Sequence, residues 1–202
     1  MMGRENKSKY AVLGVLSLGP MSGYDVKKTI EMSLGNFWSE SYGQIYPILK
    51  DLVAEGLATS ETEAPPFGPS RRVYTITAAG HGELRRWLER PPEHSVGRIE
   101  ILLKLFFGWQ VPPGESRKKL DEYRQLQQDL LTHYDGIEQR IRADESDHPG
   151  LPYWLMTISY GRHVTRALIA WCDESLATLE SLEDVAGNQP GTGTAGDEEG
   201  EL

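Results

Sequence analysis

Between residues 41 and 77 the spacing of apolar side chains changes twice. Ile45, Ile48, Leu49, Leu52 and Val53 recur at steps of three and four, which places them on one face of a helix over residues 41–55. Gly56 closes that helix, and the pattern then becomes extended. Residues 57–62 read as a strand, EAPPFGPS as a turn-rich loop, and RRVYTIT, with its β-branched and aromatic alternation, as a second strand. Helical spacing resumes in AAGHGELRRWLE, with Thr77 placed as its N-cap and Pro91-Pro92 as its stop. A helix, a hairpin and a closing helix in close succession leave few ways to build one core.

Two short helices precede this unit. Residues 8–18, SKYAVLGVLSL, are apolar, with Ser8 placed as N-cap and Gly19-Pro20 as the break. Ser22 and Asp25 have the spacing of a capping box that opens SGYDVKKTIEMSL, and Gly35 is placed to end it. Ser41 and Gln44 form an S-x-x-Q box at the third helix. Pro47 conflicts with a regular helix there, because a proline deep inside one costs about 3 kcal/mol. The expectation is an irregular or late-starting first turn, with Gly43 yielding to the ring.

Three short helices, a two-stranded hairpin and a closing helix, in that order, form a winged helix-turn-helix with the hairpin as wing. The second helix of such a motif enters the DNA major groove, which is wide enough to admit it. With the apolar stripe of residues 41–55 turned inward, Tyr42, Gln44, Tyr46 and Lys50 face outward. Glutamine can read adenine through two hydrogen bonds, and lysine can meet a phosphate or a guanine. Ser41 and the first amides lie at the positive helix end, which suits a phosphate. Arg71 and Arg72, with Tyr74 following on the wing, suit the backbone or the minor groove. Lys7, Lys9 and Tyr10 at the start of the first helix, and Ser22 and Tyr24 at the start of the second, complete the DNA-facing candidates.

The second half reads as helical. GRIEILLKLFFGW is a short apolar helix stopped by Pro112-Pro113. Leu120, Tyr123, Leu126, Leu130, Tyr134, Ile137 and Ile141 form a heptad-like stripe on a long helix, broken by HPGLP. A last helix from about residue 153 to 182 carries Leu155, Ile158, Thr165, Leu168, Ile169, Cys172, Leu176 and Leu179 on one face, interrupted by Arg162. A stripe of this kind on a helix outside the wing domain requires something to cover it, and a second copy of the chain is the expected cover. The expected division is a DNA-binding domain over 1–92, a helical dimerisation and effector domain over 93–186, and a low-complexity, disordered acidic tail over 187–202. The fold class is mainly α with a small β-hairpin: a winged helix-turn-helix joined to an antiparallel helical domain.

The net charge of −9 is unusual for a chain that binds nucleic acid, but it is unevenly spread. Residues 1–92 carry eleven Lys and Arg against ten Asp and Glu, whereas 93–186 carry ten against sixteen, and the tail carries four acids and no base. DNA binding needs a local cluster of donors rather than a basic whole. Charge therefore permits the reading without arguing for it. One cysteine, Cys172, excludes an internal disulfide and suits a reducing cytoplasm. No apolar run is long enough for a membrane helix, and the basic start MMGRENKSKY lacks the apolar core of a secretion signal. His81, His94, His133, His148 and His163 show no metal-ligand spacing, so no metal or cofactor is expected. GTGTAG in the tail has neither the strand nor the helix of a phosphate loop. With no nucleophile–base pair and no catalytic carboxylate pair, an enzyme is not expected.

The run Tyr42-Gly43-Gln44-Ile45-Tyr46-Pro47-Ile48-Leu49, followed by Leu52 and Glu55-Gly56-Leu57, resembles the signature of PadR-type transcriptional regulators. Leu13-Gly14, Leu16, Ser22-Gly23-Tyr24-Asp25, Arg72-Val73-Tyr74-Thr75-Ile76-Thr77 and Gly80 fit the same pattern. The resemblance covers about the first ninety residues. The helical remainder is similar to the virulence-activator-like region of one PadR subfamily. The resemblance implies a homodimer held by C-terminal helices that binds inverted-repeat operators in double-stranded DNA, usually as a repressor. In some members a small aromatic or drug-like effector releases the DNA. The acidic tail is outside the family pattern.

Five tryptophans occur, at 38, 87, 109, 154 and 171. Core packing accounts for most such residues. Phe106, Trp109, Trp154 and Trp171 are the candidates for an aromatic effector pocket. Two rivals to the repressor stand beside it: an activator working with a partner regulator, and a winged-helix adaptor that binds protein instead of DNA.

Overall fold

The computed structural model describes residues 7–38, 42–64, 70–93 and 97–187. It divides into two compact units, Met1–Ser95 and Val96–Leu202. The first contains α1 (Ser8–Leu16), β1 (Met21–Ser22), α2 (Gly23–Ser33), α3 (Tyr42–Ala54), β2 (Ala58–Glu63), β3 (Arg71–Ile76) and α4 (Ala78–Leu88). The second contains α5 (Glu100–Phe106), a 3-10 turn (Gly108–Gln110), α6 (Pro113–Asp144) and α7 (Leu151–Gly187).

The wing is a three-stranded antiparallel sheet ordered β1-β3-β2, not the two-stranded hairpin expected. The missed strand is two residues long: Met21 pairs with Tyr74 and Ser22 with Val73. So short a strand has no period of its own, and it exists only because β3 lies beside it. Ser22 ends the strand and caps α2. Its Oγ accepts from the Asp25 amide at 3.2 Å while the Asp25 carboxylate accepts from the Ser22 amide at 3.2 Å. Thr77 likewise accepts from the Gly80 amide and opens α4. Ser8 is not the cap expected. It is the first helical residue of α1, Lys7 holds the N-cap position, and no side chain caps that end.

The core of this unit is the inward stripe of α3 packed between α1 and α2. Ile45, Ile48, Leu49 and Leu52 are buried against Val12, Leu13, Leu16, Val26 and Ile30. Each such side chain contributes about 1.5–3 kcal/mol by leaving water. α3 runs through Pro47 from Tyr42, so the late start expected does not occur. Gly43 and Pro47 are both exposed, and water can take the carbonyl that the proline leaves without a donor. At the end of α3 Gly56 takes φ +70°, a left-handed turn that glycine adopts without strain.

In the second unit α6 and α7 pair antiparallel, as their cross-links show. Arg117 meets Glu180 and Glu183, Arg124 meets Asp173, and Arg162 meets Asp135 and Glu138. The α6 stripe expected to require a second copy is covered largely by α7 of the same chain. Leu120, Gln127 and Tyr134 are buried on α6, and Ile158, Thr165 and Cys172 on α7. Leu126, assigned to that stripe, is exposed, and Gln127 takes the inward position. Arg162 interrupts the α7 stripe because its partners are carboxylates on α6. The tail over 188–202 lies outside the described residues.

Candidate nucleic-acid interface

With Ile45, Ile48, Leu49 and Leu52 turned inward, helical geometry turns Gln44, Tyr46, Pro47 and Lys50 outward, and all four are exposed. Ser41 lies outside the described residues, as does the side chain of Tyr42. Tyr46 is 44% exposed and its ring rests over α2. A β-carbon at Gly23 would lie 2.7 Å from its Cε1, so the bare backbone of Gly23 is what lets the ring sit there. Tyr24 on α2 is exposed, while the Ser22 hydroxyl is held by Asp25 at 2.7 Å.

Two candidates are core residues instead. Tyr10 is 3% exposed, stacks on Trp87 with ring centroids 4.6 Å apart, and donates its hydroxyl proton to Glu83 Oε1 at 3.1 Å. Tyr74 is 4% exposed on the inward face of β3. Both rings are amphipathic, and α1 and β3 needed bulk where they meet the core. Sequence period alone did not reveal which side they would face. The hydrogen bond from Arg86 holds the Glu83 carboxyl below its ordinary value against the opposing effect of burial, and the Tyr10 hydroxyl adds to it.

The cations fall into two groups. Lys9 Nζ is 2.5 Å from Glu55 Oε2, and Arg71 donates to Glu63 Oε2 from Nε at 3.1 Å and Nη2 at 3.0 Å. Lys50 and Arg72 have no acid partner among the described residues and are exposed. Arg71 and Arg72, alike in the sequence, project from opposite faces of β3 because strand side chains alternate. Glu63 is opposite Arg71, and Thr62 is opposite Arg72. Glu63 was not singled out from sequence, and Glu55 and Gly23 were named only as part of the family pattern, without these contacts. Only the strand register would have exposed Glu63, and the loop length that sets register has no local signal.

None of the four aromatic candidates for an effector pocket lines the two concavities found around α5. Phe106 is 76% and Trp109 82% exposed. Trp154 stacks on His148, and Trp171 meets Tyr123 edge-on. A concavity of about 600 Å³ lies between α5 and α6 and is lined by Arg98, Ile101, Lys104, Lys119, Tyr123 and Leu126 among others, and by none of the four. Among the described residues there is no cluster able to hold a metal ion, and no helix long and apolar enough to cross a membrane.

Comparison with known proteins meets this geometry on both units. The profile of the transcriptional regulator PadR-like family matches residues 12–86, and that of the virulence activator alpha C-terminal region matches 98–180. The Negative transcriptional regulator PadR of Bacillus subtilis is 30% identical over 181 residues, 85% of this chain and 97% of that protein. The crystal structure of Bacillus subtilis PadR in complex with operator DNA superposes with a TM-score of 0.78 at 29% identity, covering 87% of this chain and 99% of that one. The same regulator in complex with p-coumaric acid gives a TM-score of 0.70 at 29% identity, over 85% and 98% of the two chains. These relatives and this fold are those of DNA-binding transcriptional regulators, not of enzymes.

Proposed function

This chain belongs to the PadR-like family of transcriptional regulators, and from that premise we propose that it is a repressor that binds an inverted-repeat operator as a homodimer and lets go when a small aromatic molecule binds. The observation that carries the DNA contact is the outward row of α3. Gln44 and Lys50 stand exposed on a helix whose other face is fully buried. In this reading α3 enters the major groove, Gln44 reads a base edge, and Lys50 and Arg72 meet phosphate or guanine. The Bacillus subtilis relative, solved on operator DNA, supports that use of the fold.

One recognition helix reads only a few base pairs. Two copies about 34 Å apart read a palindrome, which is the reason for a dimer. The second unit leaves Leu103, Phe106, Trp109, Tyr153, Met156 and Tyr160 exposed, more apolar surface than a lone helical pair needs. Dimerisation would cover part of it, and the exposed aromatics then become candidates for walls of an effector site. The p-coumaric acid complex of the relative supports a small aromatic acid as effector class. Release follows if the ligand favours an arrangement in which the two α3 helices no longer match successive turns of the duplex.

The deciding experiment is titration of a duplex from the chain's own upstream region against a random duplex of equal length over a range of salt, with light scattering to give the mass in solution. Tighter binding of the upstream duplex by a dimer is expected. Equal affinity for both duplexes, or a monomer bound to one half-site, overturns the reading. The match to the virulence-activator profile favours one alternative, an activator at the same operator. A reporter in a deletion strain separates the two: expression rises without a repressor and falls without an activator.

A further inference from the structure

The wing carries its own counter-charge. Its described charges are Glu61, Glu63, Arg71 and Arg72, and the five residues that complete the loop, Pro65, Pro66, Phe67, Gly68 and Pro69, are uncharged. The wing is therefore neutral, although a strand opening with two arginines suggests a basic finger. The neutrality is also local. Glu63 is the last residue of β2 and Arg71 the first of β3, paired directly across the ladder. One carboxylate oxygen receives two guanidinium nitrogens, at 3.1 and 3.0 Å. A phosphate oxygen would engage Arg71 with the same donors.

We propose that Glu63 is a positioning residue for DNA binding: it occupies Arg71 as a built-in phosphate surrogate and so holds down sequence-independent affinity, leaving Arg72 as the wing's working cation. The proposal rests on the DNA-binding reading above. Strand geometry separates the two arginines. Arg72 leaves the opposite face of β3, faces Thr62, and has no acid partner among the described residues. Arg71 must give up Glu63 before it can meet a phosphate, and the freed carboxylate would then stand beside the backbone it repels. Both side chains of the pair are about half exposed, so the pair is weak, screened by salt and open to competition. It tunes affinity and does not forbid contact.

The test uses the full chain with E63Q, R71A, R72A and the double variant E63Q/R71A, each bound to the upstream duplex and to a random duplex at several salt concentrations. Masking predicts that E63Q tightens both by up to about fivefold and steepens the slope of log K against log salt by about one phosphate's worth, near 0.9. It predicts that R71A alone changes little, that R72A weakens both duplexes and flattens the slope, and that the E63Q gain disappears in E63Q/R71A. A gain that persists in the double variant overturns masking, since it would then be plain repulsion between Glu63 and DNA. So would an E63Q chain whose affinity and slope match the parent. Thermal unfolding checks that the variants fold, and a pair this exposed leaves the midpoint nearly unchanged. A parent chain that binds neither duplex removes the DNA-binding reading itself, a failure distinct from parent binding with an unmoved E63Q.

Discussion

The ring of Tyr134 on α6 lies directly against the backbone of Gly161 on α7: a β-carbon at 161 would be 2.6 Å from Tyr134 Oη, 2.7 Å from Cε1, and closer still to Cζ. Both residues are buried, and at that point α7 offers only bare glycine backbone to the ring from α6.

This contact predicts the sign of a substitution that helix propensity gets wrong. Glycine to alanine within an exposed helix gains up to about 1 kcal/mol. At Gly161 the added methyl meets a buried ring, and overpacking of that kind costs about 1–3 kcal/mol. Gly161→Ala is expected to lower the unfolding midpoint, and Tyr134→Leu in the same chain to restore part of the loss. A stabilised single variant, or additive effects in the pair, contradicts the contact.

Gly23 is the parallel case in the first unit, with a different outcome. An alanine there would meet the Tyr46 ring and, at 3.3 Å, Leu49 Cδ1. Tyr46 has solvent on its other side and can swing out, so stability should fall little while the outward face of α3 changes. Gly23→Ala is expected to weaken binding to the upstream duplex at least as much as it lowers stability. Unchanged binding with a lowered melting temperature would show that the ring position does not matter to recognition.

Gln44→Ala should cost about 1–3 kcal/mol on the upstream duplex and much less on a random one, because a base-edge contact is lost and no phosphate contact with it. Lys50→Ala is the contrast if its partner is a phosphate: affinity falls on both duplexes and the salt slope flattens by about one contact. Paired titrations over salt measure both variants. A Gln44→Ala chain that loses equally on the two duplexes would remove the base-reading role.

Cys172 is fully buried between α6 and α7. Burial pushes its thiol above the ordinary value and Asp173 adds to that, while Arg124 opposes it. A raised value keeps the proton on sulfur further into the alkaline range, so little thiolate exists at neutral pH. The folded chain is expected to resist an aromatic disulfide reagent at neutral pH and to react stoichiometrically once unfolded. Rapid modification of the folded protein would mean that the helical pair opens readily at this point.

Most caps and periods were legible in the residues because they are local, the exceptions being Ser8, which does not cap α1, and Leu126, which leaves the inward stripe of α6. Ser22 with Asp25, Thr77 before α4, Gly56 after α3 and the inward row from Ile45 to Leu52 are all satisfied within one or two helical turns, and no distant part of the chain can change them. The resemblance to PadR-type regulators rested on those same short runs. What depends on a neighbour far along the chain was settled only by folding. β1 exists because β3 pairs with it. Tyr10 and Tyr74 turn inward while Tyr46 stays partly out, because Trp87, the core and Gly23 respectively meet them. Lys9 and Arg71 are neutralised by Glu55 and Glu63, while Lys50 and Arg72 are not. Charge is written in the sequence, but its availability is a matter of which side chains stand opposite, and that is fixed by strand register and helix packing between residues that the chain itself keeps apart.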